Sequence, residues 1–171
     1  TPIGHFNTFP LPPESIPVEH EQTDAHSLFQ SIRKANDLDQ VIQVNHPRFV
    51  NMDYFTLLDL DPRLGQSDHI DWSWDFDAIE VLNETSGYGW GTHEDNPVSV
   101  REDWYNFLHA GKKIAAVGNS DSHTVSQILA GIPRNYIASS TDDPGKLSEP
   151  ELVKHIKQQR LSVNRGIFVT A

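Results

Sequence analysis

The chain has 171 residues, enough for one domain with its own core, and its 37% hydrophobic and 22% charged content marks a globular rather than a disordered sequence. Thirteen basic residues face 24 acidic ones, a net charge of −11, which argues against nucleic-acid affinity and leaves only local basic groups to hold a small anion. No apolar run approaches the roughly 18 residues of a membrane span, no signal peptide is visible, and the lack of cysteine excludes disulfides and thiolate ligands while leaving cytoplasmic and periplasmic or secreted compartments equally open.

From residue 23 the pattern alternates helix and strand. "TDAHSLFQSIRKAND" puts Ala25, Leu28, Phe29 and Ile32 at helical spacing behind Thr23 or Asp24 as N-cap. "VIQV" (41–44) reads as a strand running into "NHPR", and "YFTLLDL" (54–60) as a short helix. "AIEVLN" (78–83) is a second strand. "SVREDWYNFLHAG" opens on a Ser99-x-x-Glu102 capping box and closes at Gly111. "KIAAVGN" and "RNYIASS" (134–140) are strands. "SEPELVKHIKQQR" carries a second capping box, Ser148 with Glu151, and Pro150 in its first turn; "IFVTA" begins one more strand. Such repetition predicts right-handed crossovers and a largely parallel sheet. A barrel or barrel fragment is the economical arrangement, because His-rich punctuation falls repeatedly at strand C-terminal ends, where barrel active sites collect.

The chemistry concentrates in three short motifs. "GHFN" offers His5, "NHPR" offers His46, and "GNSDSH" offers Asp121 and His123, two residues apart and converging if the strand continues. Without cysteine, this His/His/Asp/His set suits zinc, manganese or iron in hydrolysis. Blander readings stand beside it. Asp121 and His123 also fit a turn capping a helix over "TVSQIL", and His46 precedes a proline that by itself biases geometry. Arg48 and Arg134 are candidate substrate-anion binders, with a loop-anchoring salt bridge as the alternative for each. Asn7 and Asn119 are either hydrogen-bonders near the site or turn caps. Glu80 reads as a structural inward carboxylate, paired to an arginine, with a catalytic role as the alternative. "DWSWDFD" (71–77) is either packing or a stacking platform. "DLDPRLGQSD" lacks the spacing of a calcium loop. His20, His26, His69, His93, His109 and His155 sit in polar or helix-surface contexts and read as solvated; His93, in a Gly-rich loop, stands apart.

"GHFN", "NHPR" and "GNSDSH" followed by "GIPRNYI", in that order, resemble the later motifs of the PHP (polymerase and histidinol phosphatase) metallohydrolases, nearest to the CehA/McbA-like branch. The resemblance implies an α/β fold, the C-terminal portion of a distorted (β/α)7 barrel with mostly parallel strands. It also implies that residues 1–171 are one metallohydrolase domain lacking the family's N-terminal His-x-His part, and shortened at the C-terminus. The activity implied is metal-activated water attacking a phosphoester, or a related ester or carbamate, with two or three divalent ions in the complete domain. In that scheme His5 and His46 bind one metal, Asp121 another, and His123 a third or adjacent position; the partner is a small-molecule substrate. Two other functions compete. One is a catalytically silent metal-binding or scaffold module. The other is an acidic carbohydrate-binding domain, which requires Trp72, Trp74 and Trp90 to be exposed in a row.

Overall fold

The computed structural model describes residues 1–15, 18, 23–35, 39–49, 53–83, 99–126 and 128–166. The amphipathic runs fold as their spacing dictates. Helix α1 (Ala25–Ala35) buries Ala25, Leu28, Phe29 and Ile32, and Asp24 is its cap, Oδ1 accepting from the Ser27 N–H at 2.7 Å. Strands β1 (Phe6–Phe9) and β2 (Val41–Val44) are followed by the single turn α2 (Tyr54–Leu57) and by β3 (Ala78–Asn83), buried throughout. Helix α3 (Val100–His109) starts at Ser99, whose hydroxyl accepts from the Arg101 N–H. Strands β4 (Ala115–Asn119) and β5 (Arg134–Ile137), helix α4 (Glu149–Lys157) capped by Ser148, and β6 (Leu161–Asn164) complete the chain. The strand expected at "IFVTA" lies outside the described residues.

The strands settle the architecture, and it is not a barrel. A four-stranded mixed sheet runs β1-β2-β3-β4, and β5 with β6 forms a separate antiparallel pair; the described strands form no closed barrel. Two local facts explain the departure. Strand β1 pairs antiparallel with β2, Phe6 opposite Val44, so one edge has the wrong polarity for a (β/α) repeat. At the other end β6 pairs antiparallel with β5, Arg134 opposite Asn164, so α4 joins the two without a parallel crossover.

The β5–β6 layer meets β4 through side chains. The Asn135 amide donates to the Gly118 carbonyl (3.0 Å) and accepts from its N–H (2.9 Å), taking the place of a strand partner on the β4 edge. A Cβ at Gly118 would stand 2.6 Å from Val163 Cγ1, so the layers meet only because this residue is glycine.

The core explains the Trp-rich stretch. Tyr54 stacks on Trp72, ring centroids 4.6 Å apart, and exchanges hydrogen bonds with the Ser73 backbone. Trp72 is 4% exposed, and Trp74 packs edge-on against Phe107 beneath Lys112. These rings fill the space between α1, α2, α3 and the sheet rather than facing a ligand.

Candidate functional site

Strands β2, β3 and β4 run parallel, so their C-terminal ends share one edge of the sheet. The antiparallel β1 begins there too: the Asn45 N–H donates to the His5 carbonyl at 3.0 Å. Four segments far apart in sequence therefore meet around a cleft of about 470 Å³, whose lining includes His5, His46, Glu80, Asn119, Asp121 and Arg134.

Two of the motif residues converge closely. His5 Nδ1 and His46 Nε2 are 3.0 Å apart, one ring donating to the other, with the rings edge-to-face. Burial, and for His5 also the neighbouring imidazole, holds both rings below the usual histidine range, while the Asp121 charge opposes this in each. An ion seated between the two rings would take the place of this hydrogen bond, each facing nitrogen then offering its lone pair. His46 (φ 26°) and Asp121 (φ 49°) are two of the non-glycine residues in the left-handed half of backbone space, an arrangement that costs energy and clusters at functional sites.

Glu80 is the hub behind them. It is 3% exposed. Its Oε2 accepts from the His46 backbone N–H (2.5 Å) and Asn83 Nδ2 (3.0 Å), and its Oε1 from Asn119 Nδ2 (2.9 Å). Burial pushes its carboxyl up, against the pull of these donors. The expected arginine partner is replaced by two amides and a backbone N–H. Asn119 is thereby committed to Glu80, and Asn83, which no motif singles out, also reaches Asp121 Oδ2 at 3.4 Å. Asn83 joins Glu80 on its own strand to Asp121, 38 residues on, and Asn135 matters through Gly118, 17 residues back.

The remaining motif residues separate. His123 lies outside the cleft lining: its Nδ1 bonds the Asp121 carbonyl (2.7 Å), its Nε2 is 3.8 Å from Asp121 Oδ1, and the ring is exposed. Convergence into one pocket assumed a continuing strand, but β4 ends at Asn119 and Asp121 turns into positive φ. No helix forms over 124–126, so the capping alternative has no helix there to cap. Arg48 is buried away from the cleft, Nε and an Nη bidentate on Asp103 (2.6 and 2.7 Å) with a further bond to the Leu60 carbonyl. This is the loop-anchoring arrangement. Arg134 lines the cleft, exposed, and no carboxylate among the described residues pairs with it. Asn7 stands on the same rim.

Among the other histidines, His155 is buried rather than solvated, donating from Nδ1 to the Ala138 carbonyl (2.6 Å) and accepting at Nε2 from Arg160 (3.0 Å). His26 is exposed, and His109 bonds the Tyr105 carbonyl on the exposed side of α3. His20 and His93 lie outside the described residues. So does Trp90, and with Trp72 buried the exposed tryptophan row needed for carbohydrate stacking is not formed.

Tested against a divalent ion, the donors fit in part. Two nitrogens bound at about 2.0–2.1 Å and a tetrahedral angle stand about 3.3 Å apart, close to the 3.0 Å of the His5–His46 pair. Against this, among the described residues no group of three or more His, Asp or Glu side chains gathers tightly enough to hold an ion. His46 Nδ1 is buried with no partner, where a ligating imidazole ordinarily donates to a carboxylate or carbonyl. The donors form a two-imidazole corner with a carboxylate beside it. In comparisons with known proteins, no family model, curated protein or solved structure matches this chain.

Proposed function

We propose that the chain is a metal-dependent hydrolase of the PHP type, acting on a phosphoester or a related ester or carbamate. The observation that carries the reading is the pair of imidazoles from two different segments facing each other at 3.0 Å on the rim of the polar cleft. His5 and His46 would hold one divalent ion (zinc, manganese or iron), with the Asp121 carboxylate and water completing its shell. A divalent ion supplies Lewis acidity and an acidified water near neutral pH when bound. The chain's own residues supply the rest: Glu80 fixes the His46 backbone and Asn119, while the Arg134 guanidinium, free across the cleft, suits a substrate anion.

Metal titration by calorimetry, with phosphate release from 4-nitrophenyl phosphate measured in parallel, tests this. Binding of about one Zn²⁺ or Mn²⁺, lost in His5→Ala and His46→Ala, together with turnover, is the expected result. Wild-type binding indistinguishable from the double variant ends the reading. The second reading, a silent metal-binding or scaffold module, draws on the unpartnered His46 Nδ1 and the missing third donor; stoichiometric binding without turnover would establish it.

A further inference from the structure

The loop joining β4 to β5 has two different sides. Its ends, Ser120 and Asp121 on one arm and Gly131 and Pro133 on the other, line the polar cleft. Between them lies a second, open hollow of about 370 Å³, lined by Val125, Ile128, Leu129 and Ala130 and by the polar Ser122, His123 and Thr124. Ser122 Oγ donates across the loop to the Ile128 carbonyl (2.8 Å), joining the two arms. The lining changes from one hollow to the other between consecutive residues, Asp121 to Ser122 and Ala130 to Gly131, so the two are neighbours along the loop.

The hollow carries two strongly exposed aliphatics, as Ile70 and Leu64 are elsewhere on the described surface. Val125 is 99% exposed and Leu129 69%, and neither belongs to a core cluster. Scattered exposed aliphatics are ordinary. Two that line one hollow, beside a polar cleft and on the same loop, match a ligand site that joins an apolar wall to a few polar groups. Among the described residues the lining is aliphatic on one side and polar on the other, at Ser122, His123 and Thr124, with no phenyl or indole ring to stack a planar group.

We infer that this hollow is a subsite for the alkyl portion of a substrate whose polar, hydrolysable end occupies the cleft. The inference rests on the hydrolase reading for the seating of that polar end. The test uses methyl, butyl and hexyl phosphate with the full chain in Mn²⁺, following affinity by calorimetry and phosphate release by a colorimetric assay. Complete burial of a methylene corresponds to about fourfold in affinity, so this open hollow should give about two- to threefold per methylene. Val125→Ser with Leu129→Ser should flatten that dependence and leave methyl phosphate unchanged. Ala130→Trp, which fills the hollow, should weaken hexyl phosphate selectively.

Equal affinity for the three phosphates, or an undiminished slope in the double serine variant, overturns the subsite. So does a shift in that variant from dimer to monomer on sedimentation, which would make the hollow a contact between copies of the chain. Chain-length-dependent binding without phosphate release supports the subsite and overturns the hydrolase reading. Release with no chain-length dependence does the reverse.

Discussion

Glu80 offers the sharpest test of how the cleft is held. Its carboxylate is buried and accepts three hydrogen bonds, from the backbone of His46 at the end of β2, from Asn83 on its own strand, and from Asn119 at the end of β4. Glu80→Ala removes all three acceptor contacts and opens a cavity. A buried donor left without a partner costs about 1–3 kcal/mol; with partial relaxation of the two amides, a loss of about 3–5 kcal/mol is expected. Glu80→Gln keeps the shape. The new amide N–H₂ can face Asn119, whose own amide flips to present its oxygen, so this variant should lose no more than about 1 kcal/mol. The two also differ in pH dependence. Because burial raises the Glu80 pKa in the folded state, its ionisation is a cost present at neutral pH. As pH falls through the raised folded value, the native state takes the proton first and wild-type stability gains, levelling off below the ordinary glutamate value. Glu80→Gln should lack that gain. Urea unfolding at several pH values, read by tryptophan fluorescence, measures all of this. If Glu80→Gln costs as much as Glu80→Ala, charge rather than hydrogen-bond geometry holds the motifs, and the argument fails.

Three further perturbations test the scaffold. Arg48→Ala should cost about 3–5 kcal/mol by stranding the Asp103 carboxylate in the core; Arg48→Met with Asp103→Leu should recover most of it in the same unfolding assay. Gly118→Ala should cost about 1–3 kcal/mol by driving a methyl into Val163, and adding Val163→Ala should restore part of the lost melting temperature. Asp53 is buried with neither oxygen in a good hydrogen bond, and burial pushes its carboxyl up although Thr56 and the Arg48 charge offset part of the cost. Asp53→Asn should therefore be more stable than wild type near pH 7 by about 1 kcal/mol, an advantage that shrinks as pH falls and wild-type Asp53 protonates.

What the sequence disclosed, and what it withheld, follows from the range of the interactions. Helices α1, α3 and α4 were legible because their apolar spacing and their caps, Asp24, Ser99 and Ser148, are local signals. Strands β2, β3 and β4 were legible as short apolar runs. Strand β1 and the half-exposed "LSVN" of β6 offer no such pattern, and nothing local states that either will pair antiparallel. That omission is what turned an alternating pattern into an expected barrel. At the site, His46 and Asp121 follow the C-terminal ends of β2 and β4, whereas His5 precedes β1, and His5 and His46 meet because β1 runs antiparallel. The role of each side chain was then decided by partners 30 to 60 positions away. Arg48 is claimed by Asp103, 55 residues on, so it braces the loop after β2 instead of facing the cleft. Glu80 binds the His46 backbone, 34 residues back, and Asn119, 39 residues on. Asp121 and His123 illustrate the same limit at short range. Two residues of spacing imply a shared face only while the backbone stays extended, and one residue at φ 49° sends the ring outside the cleft lining. The physical content of "GNSDSH" therefore lies in the break that ends β4. Asn119 is tied to Glu80, Asp121 is left on the cleft, and the chain turns into the loop whose far side carries Val125 and Leu129.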